Sequence, residues 1–92
     1  MKSLFVLTSE NQPIEQAEEF AGDELIVLVV INKSTLATNF DNALCALERR
    51  AHGLEHELLT KGKKCRVIVE WGEKTEAVNN ALLRERAQLL NA

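Results

Sequence analysis

His52-Gly53-Leu54-Glu55-His56 is the stretch whose residue types and spacing come nearest to chemistry. It fits the H-x-x-E-H zinc pattern, in which two histidines at i and i+4 share a helix face and the acid serves as base. A working site also needs a third protein ligand and a large domain, and only 36 residues follow His56. The apolar stripe of the same segment uses Ala51, Leu54 and Leu58, which turns both histidines toward the margin or the solvent face. We therefore expect exposed histidines, no metal site and no catalytic residue.

Thr8, Ser9, Glu10 and Asn11 follow the first apolar run, where α/β domains place functional groups. No histidine stands beside Ser9 to activate it, so its expected role is to cap the first helix. Thr8, Ser9 and Glu10, with Asn32 and Ser34 after the second run, form the candidate small-ligand set. Trp71 closes the third run and is a candidate interface anchor, as are the apolar Leu4 and Val6 of the first. Glu18-Glu19 and Glu55/Glu57 have no spacing that would join them for acid–base work and read as solvated faces. Cys45 and Cys65 stand in no ligand spacing and read as small buried hydrophobes.

These residues are positioned by an alternation of apolar runs and helical stripes. Leu4–Leu7, Leu25–Ile31 and Cys65–Trp71 read as strands, each expected to be buried on both faces. The middle run is seven consecutive apolar residues with no polar alternation, the pattern of a parallel sheet covered by helices. Asn11 and Pro13 predict the start of a first helix that ends near Phe20-Ala21, with Gly22 as its stop. Phe40, Leu44, Leu47, Ala51, Leu54 and Leu58 step by four and three along a second helix; Thr38 and Asp41 form a capping pair, and Gly62 is the stop. A third helix is predicted from about Lys74 to Leu90, with Val78, Ala81, Leu82 and Leu89 on one face. The order β-α-β-α-β-α predicts an α/β domain with a three-stranded parallel sheet, spatial order 3-2-1, and helices packed on it.

Composition narrows the function classes. The 92 residues suit one domain (residues 1–92), and 46% hydrophobic with 27% charged excludes a disordered tail. Aromatics are scarce, so a stacking platform for nucleic acid is disfavoured. Residues 1–46 hold seven acids and two bases, and residues 47–92 hold seven acids and nine bases. The basic cluster Lys61-Gly62-Lys63-Lys64-Cys65-Arg66 reads as solubilising charge beside a strand, with no nucleic-acid partner. No apolar run reaches the length of a signal core or a membrane span, and two unpaired cysteines suit a reducing compartment. The expectation is a cytoplasmic protein with no membrane partner.

The opening Lys2-Ser3-Leu4-Phe5-Val6-Leu7-Thr8, the run Glu24-Leu25-Ile26-Val27-Leu28-Val29-Val30, the helix ending Leu59-Thr60-Lys61-Gly62 and the closing Val67-Ile68-Val69-Glu70-Trp71-Gly72-Glu73-Lys74-Thr75-Glu76-Ala77-Val78 together resemble the universal stress protein family. The likeness covers the first three of that family's usual five strands. It implies a stress-related role. Members that bind ATP carry an acid just after strand one, where this chain has Ser9 followed by Glu10. Their phosphate loop, G-x2-G-x9-G-[ST], has no counterpart among Gly22, Gly53, Gly62 and Gly72, which are dispersed singly. No cofactor is expected.

On this reading strand one is an exposed edge, and an exposed edge invites a partner strand. The expected function is therefore association without catalysis, as a homodimer or docked on another protein. The alternative is a small-ligand or nucleotide sensor at the carboxyl ends of strands one and two, though no motif supports a nucleotide.

Overall fold

Strand β2 (Glu24–Ile31) lies inside the sheet, and its long run offers apolar side chains to both faces. Leu25, Val27, Val29 and Ile31 point to one side, Ile26, Leu28 and Val30 to the other, and all seven are buried. The computed structural model describes residues 2–8, 12–20, 22–31 and 40–90. Strand β1 (Lys2–Leu7) pairs with β2 in parallel, from Lys2 opposite Glu24 to Leu7 opposite Val29. Strand β3 (Lys64–Trp71) flanks the other side of β2, also in parallel, from Lys64 opposite Glu24 to Trp71 opposite Ile31.

The helices divide between the two faces. Helix α1 (Glu15–Glu18) and helix α2 (Phe40–Thr60) cover the face of Phe5, Leu7, Val27 and Cys65. The expected stripe of α2 lies on it, with Leu47, Ala51, Leu54 and Leu58 buried and Leu44 half-buried. Helix α3 (Lys74–Glu85) covers the opposite face, placing Ala77, Val78 and Ala81 on Leu4, Val6, Ile26 and Leu28. Among the described residues no polar or charged side chain is buried in either layer.

The end of α2 is a Schellman turn. Lys63 N–H donates to the Leu58 carbonyl at 3.0 Å and Gly62 N–H to the Leu59 carbonyl at 3.0 Å, with Gly62 at φ +80°. Gly72, at φ +125°, turns the chain out of β3 in a conformation that side chains rarely adopt.

Among the described residues the sheet has four strands and not the three expected. Helix α3 stops at Glu85, not near Leu90, because Arg86 adopts a left-handed conformation (φ 53°, ψ 43°) and caps it. The chain then extends as β4 (Gln88–Leu89), parallel to β1, with Ser3 opposite Gln88 and Leu4 opposite Leu89. The strand order is β3-β2-β1-β4. Leu89, assigned above to the helical stripe, belongs to this strand and is half-exposed.

Three smaller expectations also change. Helix α1 starts after Ile14, so Pro13 precedes the helix and does not sit in its first turn; Asn11, Thr38 and Ala21 lie outside the described residues, and the Asp41 side chain is not among those described. Cys45 is exposed, because it projects well off the buried stripe of α2. Strand β3 is not buried on both faces: as the edge strand it alternates buried Cys65 with exposed Arg66 and leaves Val69 and Trp71 partly open.

Candidate functional site

The carboxyl end of β1 is closed by a side chain that acts as a strand. In an extended strand each residue's N–H and C=O point to the same side, and the side alternates along the chain. Leu90 N–H donates to the Leu4 carbonyl at 2.7 Å, so Leu4, Val6 and Thr8 present their backbone groups away from β2. Beyond β4, the Gln12 carboxamide takes up this row. Its Nε2 donates to the Val6 carbonyl at 2.6 Å, and its Oε1 accepts from the Thr8 N–H at 3.0 Å and the Thr8 hydroxyl at 3.3 Å. An amide side chain carries one donor and one acceptor at the spacing of a peptide group, so it continues the ladder where the backbone of β4 ends.

Arg50 of α2 holds Gln12 in place. Its Nη2 donates to the Gln12 carbonyl at 2.7 Å, while its buried Nε has no acceptor among the described residues. Of the candidate ligand residues, Thr8 is half-buried in this arrangement; Ser9, Glu10, Asn32 and Ser34 lie outside the described residues. Nothing in the sequence singled out Gln12 or Arg50. Their roles depend on α1 and α2 being folded against one another, with Lys61 Nζ, just past the end of α2, also donating to the Glu18 carbonyl at 3.3 Å.

The β1 edge is therefore occupied by the chain itself, and the expected open edge there is corrected. Leu4 and Val6 point into the layer beneath α3 and are 0% and 3% exposed. The open edge is on the opposite side of the sheet. Lys64 N–H donates to the Asp23 carbonyl at 3.3 Å and Gly72 N–H to the Ile31 carbonyl at 2.9 Å, so the even-numbered residues of β3 face β2. The backbone groups of Cys65, Val67 and Val69 face outward, and no described strand lies beyond them. Trp71, half-exposed, and Val69 stand at the carboxyl end of this edge.

Charged side chains line the α3 side of β3. Arg66 pairs with Glu85 in a short contact and with Glu24 at 3.5 Å; Arg84 reaches Glu70 at 3.1 Å and Glu85 at 3.4 Å. The hydrogen bond from Arg66 holds the Glu85 carboxyl below its ordinary range, and the same bond raises Arg66. A cleft of about 180 Å³ opens beside this row between Glu70, Trp71, Glu73, Glu76, Asn80 and Arg84. Its three carboxylates oppose an anion at the start of α3.

The remaining candidates form no common site among the described residues. His52 and His56 are exposed as expected, and His52 Nδ1 lies 3.3 Å from Glu55 Oε1. No cluster of metal-ligating side chains is found among the described residues. The lysine cluster is tied to the amino end of the sheet: Lys63 Nζ donates to the Gly22 carbonyl at 3.3 Å and lies 5.6 Å above the Phe20 ring, and Lys61 pairs with Glu57 at 3.6 Å. Cys65 is free and buried, and burial, reinforced by Glu55, pushes its thiol up to about 11. No described helix is long and apolar enough to cross a membrane. No family model matches the chain, and comparison with curated proteins and with solved structures finds no match.

Proposed function

We propose that this chain works by association and not by catalysis, taking a further strand onto the edge of β3 from a second copy or another protein. The reading rests on one observation: an eight-residue edge strand whose outward backbone groups at Cys65, Val67 and Val69 have no partner strand among the described residues. The homodimer expected from an open β1 edge is moved to the other side of the sheet, because β1 is covered. The likeness to the first strands of universal stress proteins is consistent with this role, as is a reducing cytoplasm for two free thiols.

The test is sedimentation of the chain from low to high micromolar concentration, alongside Val69→Pro. The Val69 N–H points away from β2, so proline removes an outward donor and leaves the β2–β3 ladder intact. Association that the proline variant loses while staying folded supports the reading. A wild-type chain that neither self-associates nor captures a synthetic strand peptide at the edge refutes it.

A second reading, a small-ligand sensor beside the carboxyl end of β1, is favoured by the Arg50 Nε next to Gln12, unpartnered among the described residues. Doubly wound sheets bind ligands outside the carboxyl ends of their strands, beside the strand where the order reverses. Thermal stabilisation by ATP, AMP or a cyclic nucleotide at sub-millimolar concentration, lost in Arg50→Met, separates this reading from the first.

A further inference from the structure

Resting on the association reading, we infer that the occupant of the β3 edge is a second copy of this chain, paired antiparallel about a two-fold axis through Ile68. A strand that joins its own copy in a closed dimer must run antiparallel, because a parallel pairing repeats without closing. The outward-facing residues of β3 are Cys65, Val67, Val69 and Trp71, so the hydrogen-bonded positions of any such pair set odd residues opposite odd ones. That condition admits few registers.

Centred on Ile68, the pairing sets Arg66 opposite Glu70 of the second copy, and Glu70 opposite its Arg66. Two complementary charge pairs result, with Ile68 against Ile68 between them and Val67 against Val69 on the other face. Moving the centre to Val67 sets Arg66 opposite Ile68. Moving it to Val69 sets Glu70 opposite Ile68. Each alternative places charge against an apolar side chain twice over, whereas directly opposed unlike charges and like apolar pairs stabilise a sheet.

The side chains are available for these contacts. Arg66 is exposed and Glu70 and Ile68 are half-buried, all three on the α3 side of β3. Arg66 and Glu70 already belong to a row with Glu24, Arg84 and Glu85, so the two copies would join their rows into one network. The product is a continuous eight-stranded sheet with β4 at both margins.

Cysteine cross-linking reads the register directly. In a Cys45→Ser/Cys65→Val background, Ile68→Cys places two thiols at a directly opposed, non-hydrogen-bonded position, where Cβ atoms come within roughly 4.5–5.5 Å. Oxidation should give a covalent dimer from Ile68→Cys alone. Val67→Cys and Val69→Cys should cross-link when mixed and not singly. Cross-linking by Val69→Cys or Val67→Cys alone shows a shifted centre and overturns the inference while leaving association at this edge standing. Association that survives Val69→Pro, with no cross-linking at any of the three positions, overturns both. Circular dichroism checks that each variant is folded, and the mixed Val67/Val69 experiment carries the test if Ile68→Cys does not fold.

Discussion

Gln12 offers the sharpest test of how the β1 edge is held. Gln12→Ala removes the hydrogen bonds that the side chain makes to the Val6 carbonyl, the Thr8 N–H and the Thr8 hydroxyl. A hydrogen bond contributes about 1 kcal/mol net, and water regains part of the loss at this partly buried site. The cost should be about 1–2 kcal/mol. For a domain of this size each kcal/mol lowers Tm by roughly 4–8 °C, so the fall should be about 5–15 °C. Gln12→Glu keeps the shape but at neutral pH presents only acceptors, one of them against a carbonyl that Nε2 approaches to 2.6 Å. That variant should be at least as destabilised as Gln12→Ala at pH 7.

Protonation restores a donor, so the introduced carboxyl has a folded-state pKa above its unfolded value of about 4. Its stabilising contribution is present below the unfolded value and is lost as pH rises through the folded one. The deficit of Gln12→Glu against wild type should therefore shrink between pH 7 and pH 4, while that of Gln12→Ala stays level. Thermal denaturation by circular dichroism at matched ionic strength measures both. A Gln12→Glu variant as stable as wild type at pH 7, or a deficit unchanged with pH, would refute the strand-like role of this side chain.

Gly53 and Gly72 should respond in opposite directions to alanine, since neither has an atom within 4 Å of the added methyl group. Gly53 lies inside α2, and Gly53→Ala should stabilise by about 0.5–1 kcal/mol. Gly72→Ala forces φ +125° on a residue that avoids it and should cost about 1–3 kcal/mol, measured by urea denaturation. Cys65 should resist alkylation at pH 8 in a Cys45→Ser background and react faster as pH approaches 11. Its folded pKa lies above the unfolded one, so the stability it contributes is complete below about 9 and declines as pH rises from there toward about 11. Cys65→Val should lack that decline in a denaturation series across the same range.

The parts of the fold legible in the sequence are those with long uniform signals. Seven apolar residues in a row identify β2 as central, and the four-three stepping of α2 predicts its buried face down to Leu58. Strand β4 has only two paired residues, too few for a pattern, and Val78, Ala81, Leu82 and Leu89 happen to continue helical spacing across it. The break falls at Arg86, a left-handed residue with neither glycine nor proline to mark it. Cys65–Trp71 contains Arg66 and Glu70, an alternation that marks a half-exposed strand, but its β-branched residues outweigh that signal. Gln12 was illegible for another reason: a carboxamide acquires the role of a strand only from where tertiary structure places it.

The short pairing of β4 also shapes how the sheet opens. It joins Leu89 to Leu4, the widest sequence separation in the sheet, so closing it carries the largest loop entropy for the fewest bonds. Such a segment docks late in folding and detaches first from the native state. The Leu90 amide should then exchange with solvent far faster than the amides of β2, while the Thr8 amide stays protected by Gln12. One margin of this molecule thus has two fasteners of different kinds, backbone below and side chain above, and each can let go without the other.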